Sequence, residues 1–376
     1  MYWKEPQPGC GRSGKLRKPS NVVRIAVAVS GGVDSTVSAL LLKAQGHDVF
    51  GVSMLTAGSE RDEQLFNIYN ALDIPLHIID LSADFSADVL GYAISEHLRA
   101  RTPNPCVMCN KRLKFGRLMQ KAFELGAEKM ATGHYAFIEE NPSGLFRLKK
   151  ARDRWKDQSY FLYRLTQSQL SGIVFPLSDM ENKDAVREIA RNSGVLELVK
   201  KESQNICFAV DDDSYSDVVF SDARFSGIGK GRVFDSSGKF LGEHEGYCRY
   251  TIGQRKGLNI AAAERLYVVA VKPELNELVL GPREELAVRR MRLSDISLVH
   301  DSYLPAGIEV TCCYRYKNPG GKAELAPIES ASILPGGKVE VTYAESMFGV
   351  APGQSAVFYD GDEVIGGGFI DSTEVG

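Results

Sequence analysis

No apolar run in this sequence approaches the ~18 to 20 residues that a helix needs to cross a bilayer, so no membrane span is expected. Residues 1–18 are polar, with five basic side chains and one glutamate. They do not lead into an apolar core, and no secretory signal is expected either. An excess of one charge is also missing: 45 Lys and Arg against 48 Asp and Glu leave a formal −3, so bulk charge does not point to nucleic acid. Cysteine is sparse and odd in number, seven in 376 residues. That argues against a disulfide framework and for a reducing, cytoplasmic setting in which thiols stay reactive or bind metal. What is present in quantity is core material, 44% hydrophobic residues, enough for two or three domains.

Residues 22–29 (VVRIAVAV) form a short β-branched run, and 36–45 (TVSALLLKAQ) read as a helix closed by Gly46. Further strands are expected at Val49 to Leu55, Leu76 to Asp80 and Lys129 to Thr132. Helices are expected near 60–72, 84–99 and 110–125. This alternation predicts an α/β domain, a doubly wound parallel sheet covered by helices on both faces. From about residue 228 the texture changes to short alternating strands broken by pairs such as Ser237-Gly238, Asn318-Pro319 and Asp360-Gly361, which predicts a β-rich carboxyl half. Boundaries are expected between about 205 and 228 and near 281, where Gly281-Pro282 interrupts.

Ser30-Gly31-Gly32-Val33-Asp34-Ser35 lies between the first strand and the first helix. Glycines let the backbone turn sharply and bring N–H groups against phosphate oxygens, serine hydroxyls add donors, and the helix start offers its positive end. Asp34 is then placed to hold the Mg²⁺ that travels with ATP. No Gly-Lys-Ser/Thr follows, so this is not a Walker A loop and nothing points to γ-phosphate transfer. It resembles the SGGxDS loop of PP-loop ATP pyrophosphatases, which cleave ATP between the α and β phosphates. By contrast, Gly9-Cys10-Gly11-Arg12-Ser13-Gly14 spells GxGxxG but precedes the first strand, and is rejected as a dinucleotide fingerprint.

Cys106 and Cys109 lie just after Pro103 and Pro105, ahead of an expected helix. Prolines tolerate a helix's first turn and forbid helix before it, so both thiols are expected at a helix amino end, where Lys111 and Arg112 also favour thiolate. Cys207 lies about a hundred residues on and could complete a site with them, as a persulfide carrier or a cluster ligand. Cys10, Cys248, Cys312 and Cys313 read as packing or surface residues. Two basic clusters, Lys111, Arg112, Lys114 and Arg117, then Lys149, Lys150, Arg152, Arg154 and Lys156, could meet phosphates if each lines one face; the alternative is an ordinary solvated surface.

Several segments in order resemble the tRNA-specific 2-thiouridylases: the SGGVDS loop, TPNPCVMCNKRLKF (102–115), ATGHYA (131–136), KDQSYFLYRL (156–165), SQNICF (203–208), YTIGQRKGL (250–258) and PGQSAVFYDGDEVIGGG (352–368). The resemblance implies an ATP-dependent tRNA-uridine 2-sulfurtransferase. ATP adenylates O2 of the wobble uridine, and sulfur then displaces AMP. It implies a PP-loop catalytic domain over 21–209 after an extension at 1–20, a central β-rich domain over 210–280 and a C-terminal β-barrel over 281–376.

By the same resemblance, Ala28, Val29, Ser30, Gly31, Gly32, Val33, Asp34 and Ser35 bind ATP, with Met54 beside the adenine and Gly133 giving backbone contact. Asn104, Pro105 and Cys106 meet the flipped-out base of the tRNA anticodon region. His134, Lys156, Asp157, Gln158, Arg315, Tyr316 and Gln354 contact tRNA. Cys109 is the nucleophile and Cys207 the persulfide carrier, with a Cys109 disulfide formed on sulfur release. The sulfur donor is a cysteine desulfurase, a relay protein or free sulfide, and the chain acts as a monomer.

Two departures from the family pattern stand out. Cys106 occupies a position that is most often Asp. Cys106, Cys109 and Cys207 are therefore the three thiolates that a 4Fe-4S cluster with one open iron requires. The stretch between Met54 and Ile74 is shortened and lacks the usual Cys and Asp residues. Rival readings are an amide- or guanidine-forming PP-loop synthetase acting on a small molecule, and a non-catalytic RNA-binding iron-sulfur protein.

Overall fold

The computed structural model describes residues 22–56, 62–199, 212–262, 264–300 and 303–375. Cys10, Cys207 and the amino-terminal extension lie outside the described residues. The parallel sheet joins β1 (Arg24–Ala28), β2 (Asp48–Leu55), β3 (Leu76–Asp80), β4 (Lys129–Thr132) and a short strand at Ile173–Val174. Its order is β3-β2-β1-β4-(Ile173–Val174), with every neighbouring pair parallel. Alternation along β1 explains why both faces are covered. Ile25 and Val27 pack with Leu42, Val49 and Tyr69 on one side, while Ala26 packs with Phe50, Phe115 and Leu118 on the other.

Helix α1 (Val33–Ala44) starts three residues earlier than its apolar pattern suggests. Gly32 is the N-cap, and the Ser35 and Thr36 hydroxyls both donate to its carbonyl, so the polar residues of the phosphate loop form the first helical turn. Helix α2 (Glu63–Ala71) is capped by Asp62, whose side chain accepts from the Leu65 amide. Helix α3 runs over 82–98. Helix α4 runs over 105–124 and opens on Pro105, five residues before the start that its periodicity predicts, with Asn104 as N-cap. Within α4, Cys109–Leu118 widens to π-helical geometry, a local distortion common where helices carry chemistry.

A small central sheet of four strands combines Gly231–Asp235, Phe240–His244, Tyr267–Lys272 and Glu277–Gly281. The carboxyl third is a six-stranded antiparallel barrel, closed where Ala287–Leu298 pairs with Glu363–Val375. Closure removes the sheet edges that would otherwise pair with other chains. One join is absent from the sequence reading: the hairpin Ala136–Glu140 and Phe146–Lys150 belongs to the catalytic segment yet pairs with Glu363–Val375 through Leu148↔Val364 and Lys149↔Glu363. Barrel and catalytic domain also share one core, in which Leu118, Tyr163, Val357 and Tyr359 belong to the same cluster. Among the described residues, no helix is long and apolar enough to cross a membrane.

Candidate active site

Ligands of open α/β sheets bind where the strand order reverses, beyond the carboxyl ends of the strands. Here that point lies between β1 and β4. A cavity of about 220 Å³ sits there, lined by Ala28, Val29, Ser30, Asp34, Ser35, Met54, Lys114, Leu118, Thr132, Gly133, His134 and Gln158. The loop after β1 forms one wall and the loop after β4 another. They approach so closely that a Cβ on Gly133 would stand 2.8 Å from the Asp34 carbonyl carbon and the Ser35 nitrogen. Glycine is the residue that fits. Gly32 provides no side-chain cap for α1, which leaves the first amides of the helix to an anion.

Asp34 Oδ1 accepts from the Tyr135 hydroxyl at 2.7 Å and from the Lys183 ammonium at 2.6 Å. Neither partner was assigned a role by sequence reading. Lys183 lies 149 residues from Asp34 and no motif spacing ties the two. On the opposite wall, His134 Nδ1 shares a 2.7 Å hydrogen bond with the Thr132 hydroxyl, and its ring packs between Phe115 and Phe175. Desolvation first, then the nearby Lys114 ammonium, hold His134 far below the usual histidine range, so the ring is neutral at physiological pH. Gln158 is tied twice to Tyr135, accepting from its amide at 3.1 Å and donating its own amide to the Tyr135 carbonyl at 2.8 Å.

The thiols sit on the helix that supplies the cavity's third wall. Cys106 and Cys109 fall in the first turns of α4, which further along sends Lys114 and Leu118 into the cavity. Cys109 is buried and shares an apolar cluster with Phe85, Val89 and Leu113, against which the cavity-lining Met54 packs. Cys106 is half-buried. Among the described residues no group of three His, Cys, Asp or Glu side chains gathers to hold a metal. Cys207, the third thiol of the expected set, lies outside them.

The loop that leads into α4 is where three domains meet. Thr102 donates its amide to Pro352 O of the barrel at 2.8 Å and its hydroxyl to Thr251 Oγ1 of the central domain at 3.0 Å. Gln354 donates its amide to Thr102 O at 3.2 Å and to Pro103 O at 2.9 Å. At Gly353, φ is +90° and a Cβ would stand 2.7 Å from Thr102 O, so the barrel's backbone touches the cysteine loop directly. Arg101 ties Glu96 at 2.7 Å to Asp371 at 3.1 Å across the same seam. Just upstream, His97 bonds Cys248 O at 3.0 Å and the Tyr215 hydroxyl at 2.9 Å. Its burial pushes the ring down to about 4.

Residues 23–211 match the family described as tRNA methyl transferase HUP domain. Residues 223–282 match the tRNA methyl transferase PRC-barrel domain, and 288–370 the aminomethyltransferase beta-barrel domain. The tRNA-specific 2-thiouridylase MnmA of Geobacter metallireducens is 41% identical over 367 residues, covering 93% of this chain and 97% of that protein. The MnmA of Caldicellulosiruptor saccharolyticus is 39% identical over 369 residues, covering 94% and 99%. The chain belongs to the tRNA-specific 2-thiouridylase family.

The positions expected to meet tRNA divide into two groups in the structure. Arg315 is exposed, and Tyr316 packs at a tilt against Phe161 with ring centroids 4.5 Å apart, which brings the 315–316 pair against the segment that follows Lys156, Asp157 and Gln158. Trp155, 82% exposed, projects from the same segment and is a further aromatic that sequence reading passed over. The second group is engaged inside the protein. Asn104 is buried and its amide donates to the Tyr92 hydroxyl, Asp157 accepts from Ala151 N and Ser159 Oγ, and Gln354 is bound to the cysteine loop.

The two basic clusters do not each form one open face. Arg112 pairs with Asp88 and Arg117 with Asp84, Lys111 donates to Gln169, and Lys114 lines the cavity. Lys149, Arg152 and Arg154 pair with Glu139, Glu181 and Asp362. Such runs look uniformly basic in sequence because their carboxylate partners lie on other elements. Cys248, Cys312 and Cys313 are buried packing residues.

Proposed function

We propose that this protein replaces O2 of a tRNA wobble uridine with sulfur at the expense of ATP. One observation carries the reading: the helix that opens with Cys106 and Cys109 also lines the cavity built by the phosphate loop, through Lys114 and Leu118. Nucleotide and thiol are thereby held on one rigid element. The chemistry needs that neighbourhood. A uracil carbonyl oxygen is a poor leaving group, but once O2 bonds to the α-phosphorus and pyrophosphate departs, sulfur can add at C2 and AMP can leave.

In this reading Ser30, Ser35 and the first amides of α1 hold phosphate, Met54 borders the base, and Gly133 permits the close wall. Asp34 fits a Mg²⁺ site in its chemistry, as a carboxylate on the cavity wall whose Oδ1 is already fixed by Tyr135 and Lys183. The metal would supply charge neutralisation to the triphosphate. Cys109 acts as nucleophile and Cys207 as persulfide carrier, charged with sulfane sulfur by a cysteine desulfurase or a relay protein; free sulfide, already fully reduced, would instead enter by adding directly at C2 as AMP leaves. The RNA surface combines Arg315, Tyr316, Trp155 and Lys156, and its affinity falls steeply with salt because phosphate contacts release counterions.

A second reading, a 4Fe-4S cluster on Cys106, Cys109 and Cys207, is favoured by one feature, the cysteine at 106 where the family most often has Asp. Iron and sulfide counting after anaerobic purification separates the two: an active enzyme without iron rejects the cluster.

The main test is incubation with ATP, unmodified tRNA and a sulfur source, followed by mass analysis for 2-thiouridine. Cys109→Ser is expected to abolish the product while ATP still binds. Undiminished product from that variant would remove the cysteine mechanism, and pyrophosphate release that ignores tRNA would point to a small-molecule synthetase.

A further inference from the structure

We propose that Trp155 stacks on the face of an unpaired nucleobase next to the target uridine. The assignment rests on the tRNA-thiolating reading above and adds to it how the RNA loop is held once that uridine leaves the stack.

Trp155 is the most exposed large apolar side chain among the described residues. A single exposed aromatic is ordinary on a protein surface, but this one is fixed from below. Asp153, 8% exposed, accepts the Trp155 amide at 3.0 Å and the Lys156 amide at 3.3 Å through one carboxylate oxygen, and its carbonyl accepts the Lys156 amide at 3.2 Å. The result is a tight turn closed by an aspartate, with both amides under the indole engaged. On either side, Arg152 donates its amide to Ser178 O at 3.1 Å and pairs with Glu181, and Arg154 pairs with Asp362 of the barrel. An indole presented on so well-fixed a backbone loses little freedom when a ligand lands on it.

The surroundings say what that ligand is. Gln158, which lines the cavity, follows three residues later, so at most about 11 Å of chain separates the two. The barrel turn Arg315-Tyr316-Lys317 faces the same aspartate turn: burial first, then the Asp157 and Asp153 carboxylates, push the Tyr316 hydroxyl up to about 12. Lys317 holds its ammonium 5.6 Å from the Tyr316 ring centre, and Arg315 beside it is exposed. Aromatics next to cations on two facing turns make a surface for single-stranded nucleic acid, in which cations follow phosphates and rings accept bases. A duplex keeps its base faces inside the stack and offers the indole none. A loop from which one base has been drawn does the reverse, because each neighbour of that base exposes a face that had been covered. Trp155 covers one such face, which offsets part of the cost of unstacking. A protein partner could also bury an indole, but the cations at Arg315 and Lys317 suit a polyanion.

The test uses the full chain with Trp3→Phe, which leaves Trp155 as the sole tryptophan. Titration with an unmodified anticodon stem-loop RNA is expected to quench its fluorescence, whereas the stem sequence alone, as a duplex, leaves it unchanged. Trp155→Ala is expected to weaken stem-loop binding about tenfold with an unaltered salt dependence, and Trp155→Phe to stay within about threefold of the parent. With abasic sites on both sides of the wobble position, the alanine penalty is expected to vanish. A penalty that survives the abasic sites, quenching by duplex equal to that by stem-loop, or a shallower salt dependence in the alanine variant each overturns the inference. Unchanged RNA affinity in that variant overturns it too, and slower charging by a desulfurase would then mark the indole as a protein contact. If the alanine variant fails to fold, the quenching and the phenylalanine variant still decide. A parent chain that binds the stem-loop without quenching sinks this inference alone, whereas one that binds neither stem-loop nor whole tRNA sinks the RNA reading itself.

Discussion

The cavity between β1 and β4 and the entry to the cysteine helix share α4 but are otherwise built in different ways. Two cavity walls come from the turns after β1 and β4, each defined by a handful of consecutive residues, and a third from α4; the closest approach is between Gly133 and the Asp34–Ser35 backbone. The cysteine loop draws on its own domain at its ends, through Arg101–Glu96 and Asn104–Tyr92, and on other domains in its middle. Thr102 and Pro103 are held by Pro352, Gln354 and Thr251, all from later domains. The narrowest point of the cavity therefore depends on local chain geometry, whereas the pose of the thiol-bearing loop depends on how three domains are assembled.

The sharpest way to break this contrast is Gly133→Ala. The added methyl meets backbone that cannot retreat without moving the start of α1, a cost of about 1–3 kcal/mol. ATP affinity is expected to fall about tenfold or more, with the reactivity of Cys106 toward iodoacetamide unchanged. Nucleotide titration and alkylation rates on the same sample check it, and joint loss of both would show that the two regions are not independent.

Gln354→Leu perturbs the other side. It removes two hydrogen bonds to loop carbonyls, worth about 1–3 kcal/mol if those oxygens stay buried. Turnover is expected to fall and Cys106 alkylation to quicken, while the KM for ATP stays put. A rise in that KM with no change in alkylation would assign Gln354 to the nucleotide side instead.

A third effect concerns pH and bears on stability, not on turnover. His97 ties α3 to the central domain and titrates near 4 in the folded chain, below its ordinary value of 6.5. Between those values the unfolded chain binds the proton and the folded chain does not. Stability is therefore full above about 6.5 and is lost as pH falls toward 4, by about 3 kcal/mol from this residue. His97→Gln is expected to flatten part of the slope in urea melts run across this window. His134 and His244, both also lowered by burial, keep the remainder. An unchanged slope would place the linkage elsewhere.

Sequence reading anticipated the local structure wherever that is written in consecutive residues. The phosphate loop, the proline-led start of the cysteine helix and the parallel sheet all depend on local pattern, and the structure differs from expectation there only in where α1 and α4 begin. Long-range partners escaped it. Lys183 finds Asp34 through packing of a distant helix on α1, and no periodicity signals that contact; the one local hint is a lysine placed against the dipole of its own helix. For the basic clusters the structure fits the solvated-surface alternative, since charge runs are visible in sequence and the acids that pair with them lie elsewhere. The hairpin at 136–150 was more accessible: Asn141-Pro142-Ser143-Gly144 between two alternating runs is a turn signal. Its pairing with Glu363–Val375 was not.

That late strand has a consequence for how the protein is made. Glu363–Val375 closes the barrel against Ala287–Leu298, extends the hairpin sheet through Val364, and accepts Arg101 at Ile370 O and Asp371. During synthesis it is the last described element to emerge from the ribosome. The phosphate turn can fold on the nascent polypeptide long before then, but the thiol-bearing segment cannot be locked in its working pose until translation has reached these residues. The segment that carries Cys106 and Cys109 is thus the part of the cavity's surroundings that waits longest for its described partners.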